Sequence, residues 1–380
     1  MRNLSFKIPK KVEIIIYDNN NSTYLLPYIK SKTYEILYTR KEKIYFFVLL
    51  KSIFVHGFKN IYYNYKKVFI DIVKPKIIIT NTDNDLDFLK FKFKKIKKIA
   101  IQNSYRRTCF PDLFSFLKYE KKNIYSLDHI FCFDDYIGKR YQSYLGCNFT
   151  TIGSLKNNII KKKKKIAKNS LAYISQFRPL KTNKSKNFLF DYKNFNKFMI
   201  HSSLKQNDFK NITRSEFYKH DEKIFKHVSE YCKKKNLNLF VIGESKYYPQ
   251  EEKEFYSQMT KNEFTFLKRN AEDSSYKYID KFEYITGVDS TMLYESIARD
   301  KKVAFFSGRE SCFKGNKGYF NWPSNIYPKG LFWTNETSKN EVFRVLNNLK
   351  NKKFRSTKNI IYDYKNIKLV KKLNTILNKI

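Results

Sequence analysis

Short runs of apolar residues recur along the chain, separated by longer segments of mixed polarity. VEIIIY at residues 12–17 and KIIIT at 76–80 are typical of strands that are buried on both faces of a sheet. Further strands are predicted at 34–38, 98–102, 129–133, 149–153, 171–175 and 239–242, and helices at 24–29, 43–73, 222–234, 251–259 and 366–377. Buried strands that alternate with helices predict an α/β fold with parallel sheets.

The alternation of strands and helices is interrupted by the charge run KNNIIKKKKKIAKNS. We therefore predict an N-terminal Rossmann-like domain at 1–155, a Lys-rich linker at 156–170, a C-terminal Rossmann-like domain at 171–360 and a terminal helix at 361–380. The two domains are expected to face a cleft.

The segment FEYITGVDSTMLYESIARDKKVAFFSG, at 282–308, predicts a strand, a polar turn, a helix and a second strand. Asp289, Ser290 and Thr291 occupy the turn, and a helix that begins there offers free backbone N–H groups to a phosphate. Glu295 lies one place too late for a capping box but shares a helix flank with Thr291, where a carboxylate could accept from ribose hydroxyls. The alternative is a plain N-cap with a solvated glutamate.

Polar side chains also follow other predicted strands, where open α/β sheets bind ligands. The candidates are Asp83 and Asp85 after 76–80, Gln102, Asn103 and Arg106 after 98–102, Arg178 after 171–175, and Gly243 after 239–242. Each of these positions is equally compatible with ordinary turn chemistry, because Asn, Asp, Ser and Gly are common in loops.

The net charge of +41 favours an anionic partner. Lysine is spread along the whole chain, and it is accompanied by Asn, Ile, Tyr and Phe, which share A/T-rich codons with it, so genome composition explains much of the excess. A nucleotide-activated substrate, a polyanionic glycan and the anionic face of a membrane remain candidate partners. A basic nucleic-acid-binding protein is the alternative outside enzymes.

Other patterns narrow the class of protein. Five cysteines without CxxC spacing indicate neither a disulfide framework nor a zinc site, and the histidines lack metal-type spacing. The first residues lack the apolar core of a secretory signal, and the longest apolar run, 44–55, is too short to span a bilayer. We expect a cytoplasmic protein, with peripheral contact at the inner face of the plasma membrane as an option. P-loop, GxGxxG and GxSxG motifs are absent from the sequence.

Four segments carry a family resemblance. VDSTMLYESIARDKKVAFF at 288–306, GLFWT at 330–334, IITNTDND at 78–85 and IAIQNSYR at 99–106 are similar to segments of glycosyltransferases with the GT-B fold, in particular those of bacterial surface-carbohydrate (polysaccharide and lipopolysaccharide) biosynthesis. The resemblance implies a nucleotide-sugar donor held by the C-terminal domain and an acceptor held by the N-terminal domain.

On the resemblance, Ser290, Thr291 and Glu295 match the donor-binding element, and the catalytic base is an N-domain carboxylate or histidine for which Asp83 and Asp85 are the candidates. It also implies catalysis without a bound metal or other cofactor, so that helix dipoles and basic side chains meet the charge of the leaving phosphate.

We thus expect a metal-independent glycosyltransferase that transfers a sugar to a lipopolysaccharide, capsule or related glycan or glycolipid. A transferase that uses a CMP-activated acidic sugar or a CDP-polyol is the alternative among enzymes. The sequence leaves open the donor, the acceptor, retention or inversion at the anomeric carbon, and the oligomeric state.

Overall fold

The fold is given by a computed structural model that describes most of the chain. The described residues are 3–20, 22–29, 32–106, 113–114, 117, 124–163, 167–177, 214–260, 263–271, 273–307, 329–350 and 360–378. Contacts divide the chain into two compact units. Unit 1 comprises Met1–Ser104, Lys121–Ile159 and Asp363–Ile380, and unit 2 comprises Tyr105–Glu120 and Ile160–Tyr362.

Unit 1 is built on a parallel six-stranded sheet. The strands of unit 1 are β1 (Asn3–Ser5), β2 (Ile14–Tyr17), β3 (Tyr34–Leu37), β4 (Lys43–Tyr45), β5 (Ile77–Thr80), β6 (Lys97–Ile101), β7 (His129–Cys132) and β8 (Asn148–Thr151). The sheet order is β3-β2-β5-β6-β7-β8, and β1 pairs separately with β4. Chain order reverses between β2 and β5, which is where sheets of this kind bind ligands, beyond the carboxyl ends of the strands.

The helices of unit 1 enclose an isoleucine-rich core. They are α1 (Leu26–Ile29), α2 (Phe46–His56), α3 (Ile61–Val73), α4 (Leu86–Lys90), α5 (Asp135–Leu145), α6 (Leu155–Ile159) and α12 (Ile367–Leu377). The last of these helices contributes Leu369 and Leu373 to the core formed by β2, β5 and β6. Asn366 fixes the return of the chain, because its Nδ2 donates to Tyr28 Oη at 2.8 Å and to Leu155 O at 3.1 Å.

Unit 2 contains the second parallel six-stranded sheet. Its strands are β9 (Ser170–Ile174), β10 (Asn238–Ile242), β11 (Thr265–Leu267), β12 (Tyr284–Val288), β13 (Lys302–Phe306) and β14 (Trp333–Thr334), and its helices are α7 (Arg214–Lys234), α8 (Pro249–Thr260), α9 (Ser274–Ile279), α10 (Thr291–Ala298) and α11 (Lys339–Leu349). The sheet order is β11-β10-β9-β12-β13-β14. This is the strand order of a dinucleotide-binding sheet, and its reversal lies between β9 and β12. The prediction of two Rossmann-like parallel-sheet domains is confirmed.

A buried ion pair joins the start of unit 2 to its helices. Arg299, at the end of α10, donates through Nε and Nη2 to the two carboxylate oxygens of Asp280, at 2.8 and 2.5 Å. The same guanidinium donates to the carbonyl oxygens of Ile160 and Lys161, and Asp280 Oδ2 accepts from Lys163 N. Part of the predicted Lys-rich linker is therefore held in place by backbone hydrogen bonds.

No helix among the described residues has both the length and the apolar character needed to cross a membrane.

Candidate functional site

A strand–turn–helix segment lies beside the point where the strand order of unit 2 reverses. Strand β12 ends at Val288, and Asp289 then takes a left-handed conformation with φ of 54°. Ser290 is extended and caps α10, with its Oγ accepting from Met292 N at 3.3 Å. The turn therefore places the start of an α-helix at the carboxyl edge of the sheet, and the first turn of a helix carries backbone N–H groups without intrahelical partners.

Tyr105 packs against α10 near this helix start. Its backbone N–H donates to Thr291 Oγ1 at 3.3 Å. Its ring is parallel to that of Tyr294, with 3.7 Å between the centroids and 7° between the planes. Thr291, which is half-buried, therefore has a backbone N–H neighbour in addition to its own helix.

Glu295 is deeply buried one turn further along α10. Only 4% of it is exposed, and its Oε1 accepts a hydrogen bond from Tyr276 Oη at 3.0 Å. The sequence predicted that Glu295 shares a helix flank with Thr291. In the structure Glu295 is more deeply buried than Thr291. Burying a carboxylate is costly unless hydrogen bonds compensate it, and Tyr276 supplies one such bond. Glu295 stays a candidate ligand contact because α10 begins at the carboxyl edge of the sheet.

Gly243 follows β10 and begins a loop whose backbone N–H groups bind the carboxylate of Glu252. Glu252 is fully buried and accepts from the backbone N–H groups of Glu244 at 2.8 Å and Ser245 at 2.9 Å. Burial raises the pKa of the Glu252 carboxyl, against the lowering effect of its hydrogen bonds. A Cβ on Gly243 would lie 2.9 Å from the Phe266 ring, so close packing accounts for this glycine.

The carboxyl edge of unit 1 carries a polar cluster where its strand order reverses. Asp18, which follows β2 with φ of 74°, is buried and accepts from Arg40 Nη2 and from Thr82 Oγ1, both at 3.0 Å. Thr80 Oγ1 donates to the carbonyl of Tyr17 at 2.8 Å and accepts from Thr82 N at 3.0 Å. The ends of β2 and β5 are thus joined by side-chain hydrogen bonds, and the Arg40 side chain, 55% exposed, adds a positive charge.

Asn81 lies within this cluster with its side-chain amide buried. Only 3% of the residue is exposed, and neither Nδ2 nor Oδ1 has a hydrogen-bond partner among the described residues. Most buried amides in proteins are hydrogen-bonded, and one that is not costs about 1–3 kcal/mol. An amide in this state at the strand reversal has the donor and acceptor that a hydroxylated ligand would use.

Asp83 and Gln102 each hydrogen-bond groups from neighbouring parts of this edge. The two Asp83 oxygens accept from Asn103 N at 3.0 Å and from the Tyr141 hydroxyl. Gln102 accepts from Phe133 N at 2.9 Å and donates to Ser104 O at 2.8 Å. The Asp83 and Gln102 side chains thus link the segments that follow neighbouring strands.

Asp85 has a different environment from Asp83. It caps α4 by accepting from Phe88 N at 3.0 Å, and its Oδ1 also accepts from Tyr17 Oη at 3.2 Å. Burial raises the pKa of the Asp85 carboxyl, although the nearby Lys66 ammonium opposes the shift.

The predicted site residues divide between the two units. Ser290, Thr291, Glu295, Asp289 and Gly243 lie in unit 2, whereas Asp83, Asp85, Gln102 and Asn103 lie in unit 1. Arg106, predicted beside Gln102 and Asn103, belongs to unit 2 with Tyr105, and Arg178 lies outside the described residues. Their roles in binding or catalysis stay predictions.

Several polar residues of these edges were not predicted from the sequence. Asp18 and Asn81 are each the first polar position after a buried strand, so the rule that selected Asp83 could have selected them. Arg40, Tyr276 and Glu252 come from elements distant in sequence and carry no local signal. Within the described part of the chain, no group of three or more His, Cys, Asp or Glu side chains could hold a metal ion.

Two parallel α/β units in one chain define the class of fold, which is that of GT-B proteins. A "putative UDP-N-acetylglucosamine 2-epimerase from Listeria monocytogenes" has a similar structure, with a TM-score of 0.53 at 9% identity, covering 97% of this chain and 98% of the other. MnaA of S. aureus, solved with UDP, gives a TM-score of 0.52 at 10% identity and covers 100% of this chain and 98% of the other. At such identities the likeness concerns the fold. No curated protein matches the sequence.

A family model identifies the chain more closely. The model described as "putative O-antigen biosynthesis protein" matches residues 99–377, which include all of unit 2 and the later strands of unit 1. The chain belongs to this family of O-antigen biosynthesis proteins.

Proposed function

We propose that the chain is a glycosyltransferase that moves a sugar from a nucleotide-sugar donor to an acceptor in O-antigen or a related surface glycan. The observation that carries this proposal is the start of α10 at the strand reversal of unit 2, with the capping Ser290, the half-buried Thr291 and the buried Glu295. Membership of an O-antigen biosynthesis family supplies the class of product.

In the proposed donor site the helix start binds the phosphates. The backbone N–H groups at the start of α10 and the positive end of its dipole stabilise negative charge, which grows on the phosphate as the bond to the sugar breaks. Glu295 accepts from the ribose hydroxyls, and Tyr276 holds its carboxylate in position through the bond to Oε1. The descriptions of the two structural neighbours name UDP-N-acetylglucosamine and UDP, so UDP is the first ligand to test.

The proposed acceptor site lies at the carboxyl edge of unit 1. The Asn81 amide offers both a donor and an acceptor to sugar hydroxyls, and the exposed part of Arg40 suits an acceptor that bears a phosphate or an acidic sugar. The acceptor hydroxyl attacks the anomeric carbon, the bond from that carbon to the phosphate oxygen breaks, and the hydroxyl proton passes to a carboxylate.

Of the two predicted carboxylates, Asp85 is better suited than Asp83 to take this proton. Both Asp83 oxygens are used by Asn103 and Tyr141, and the residue is fully buried. Asp85 receives its two bonds on Oδ1, and burial raises its pKa toward the range in which a carboxylate accepts a proton more readily.

A thermal-shift screen of UDP, GDP, CDP, CMP and dTDP, followed by their sugar conjugates, tests the proposal. We expect one nucleotide series to raise the melting temperature in a saturable way. A cytidine nucleotide as the sole stabilising ligand would favour the alternative donors, a CMP-activated acidic sugar or a CDP-polyol. No stabilisation by any of these compounds would contradict the donor site.

A further inference from the structure

An exposed apolar surface lies on unit 1, outside the strand edges described above. We define the α2 patch by Phe6 and Ile8 after β1, by Phe47, Leu50 and Phe54 on α2, and by Phe58 after that helix. All six side chains are exposed, and Phe54 and Phe58 are 93% and 77% exposed. Proteins that stay monomeric in water rarely expose apolar surface of this extent unless it binds something.

The patch is continuous because of local structure. Phe47, Leu50 and Phe54 are three and four residues apart on α2, a spacing that aligns them along one face of the helix, while Val48 and Ser52 are buried. The segment after β1 joins this face, because β1 pairs with β4 directly before α2 and the Phe6 ring lies 5.2 Å from that of Phe46.

The charged residues of the chain segments that form the patch are all positive. Lys7, Lys51 and Lys59 are exposed next to its apolar residues, and the sequence contains no acidic residue from Lys43 to Ile70 or from Leu4 to Val12. The segments that form the patch therefore contribute positive charge and no carboxylate.

We propose that the α2 patch docks this protein on the surface of an anionic phospholipid bilayer. Phenylalanine and leucine side chains partition into the boundary between headgroups and acyl chains, and neighbouring lysines bind the lipid phosphates. Each lysine near an anionic membrane strengthens binding about fivefold. The proposal rests on exposure and charge alone and stands whether or not the chain transfers sugars.

A second copy of the chain fits the patch less well. A two-fold interface would place the same surface on itself, which would bring Lys51 and Lys59 of each copy near those of the other. Lysine is depleted from protein–protein interfaces, and like charges in contact oppose association. An anionic bilayer instead complements both the apolar face and the lysines.

Vesicle sedimentation with the full chain tests the proposal. We expect the protein to bind vesicles of three parts phosphatidylcholine to one part phosphatidylglycerol, and to bind pure phosphatidylcholine at least tenfold more weakly. Phe54→Ser combined with Phe58→Ser should lower the partition coefficient at least tenfold. The control is Ile367→Ser, a change at an apolar residue of unit 1 that is 63% exposed and lies outside the patch, which should leave binding unchanged.

A second pair of variants tests the electrostatic part independently of the phenylalanines. Lys51→Gln with Lys59→Gln should weaken binding to anionic vesicles about tenfold or more, whereas Lys223→Gln with Lys226→Gln, exposed lysines of α7, should not. Far-UV circular dichroism checks that each variant is folded. Absence of vesicle binding, or equal binding by the patch variants and their controls, would overturn the proposal. So would a dimer in lipid-free buffer that the phenylalanine pair dissociates, because the patch would then cover a second copy.

Discussion

Two buried asparagine side chains in unit 1 differ in their hydrogen bonds. Asn158 Nδ2 donates to Ile152 O at 2.7 Å and to Asn366 Oδ1 at 2.8 Å, and its Oδ1 accepts from Asp363 N at 3.0 Å. Asn81 is as deeply buried, but its amide has no hydrogen-bond partner among the described residues. The first amide stabilises the fold, and the second is the proposed acceptor contact.

This contrast predicts opposite effects of the same substitution. Asn81→Leu should raise the free energy of unfolding by about 1 kcal/mol, because it removes a buried polar group without breaking a bond. Asn158→Leu should lower it by about 2–4 kcal/mol, because it leaves buried partners unsatisfied. Urea unfolding followed by far-UV circular dichroism measures both values. Destabilisation by Asn81→Leu to the same extent as Asn158→Leu would show that Asn81 serves the fold.

His129 should make unit 1 sensitive to acid. Burial, together with the nearby Lys372 ammonium, lowers the pKa of His129 to about 4. The unfolded chain, with a histidine pKa of about 6.5, binds the proton more readily, so the free energy of unfolding falls as the pH falls from about 6.5 to about 4. The loss amounts to at most about 3 kcal/mol, since each pH unit between the two pKa values is worth about 1.4 kcal/mol.

Urea unfolding at pH 7, 5.5 and 4.5 checks this dependence. His129→Gln should show a shallower loss of stability over that range than the unchanged chain. Parallel pH profiles of the two proteins would contradict the assignment.

At the scale of helices and strands, the apolar runs were sufficient to predict the buried sheet strands but not the shorter or more polar elements. VEIIIY and KIIIT became β2 and β5, because a strand buried on both faces needs apolar residues at every position. Helix α5 was not predicted. Its large buried side chains are only Ile137, Tyr141 and Leu145, and most of the residues between them are polar. β1, β4, β11 and β14, of two or three residues each, are too short to show a period.

The Arg299–Asp280 pair is the element-scale contact with the largest expected effect on stability. Both side chains are almost completely buried, with exposed fractions of 0% and 2%. Asp280→Asn should lower the free energy of unfolding of unit 2 by about 3–5 kcal/mol, because it leaves the Arg299 charge buried without its counter-ion.

Tryptophan fluorescence follows this transition, since Trp322 and Trp333 both lie in the sequence range of unit 2. The matched control is Lys277→Gln, which breaks an exposed ion pair with Asp273 and should cost less than about 1 kcal/mol. A similar small effect of Asp280→Asn would contradict the structural role of the buried pair.

At the scale of the whole molecule, the two-domain class was predictable from sequence but the strand orders were not. The order of strands depends on which edges pair, and pairing between β9 and β12 links residues more than 100 positions apart. The same limitation hid the return of α12 to unit 1 and the placement of Tyr105 against α10. Each candidate site lies where the strand order of its sheet reverses, because ligands bind beyond the strand ends at that point. The sites could therefore not be located before the strand orders were known.

The net charge of +41 leaves a general nucleic-acid binder as the alternative to a transferase. Binding that arises from dispersed lysines weakens steeply with salt and does not discriminate among sequences. Binding at the start of α10 should instead be stoichiometric and should depend on Glu295.

Isothermal titration of the best-stabilising nucleotide into the full chain tests the central claim most directly. We predict one saturable site whose affinity falls about tenfold or more in Glu295→Gln, because a neutral amide oxygen is a weaker acceptor than a carboxylate. Glu341→Gln, a change at a glutamate of α11 paired with Arg344, should leave the affinity unchanged. Equal affinity in Glu295→Gln and Glu341→Gln, or heat that does not saturate with any nucleotide, would contradict the account.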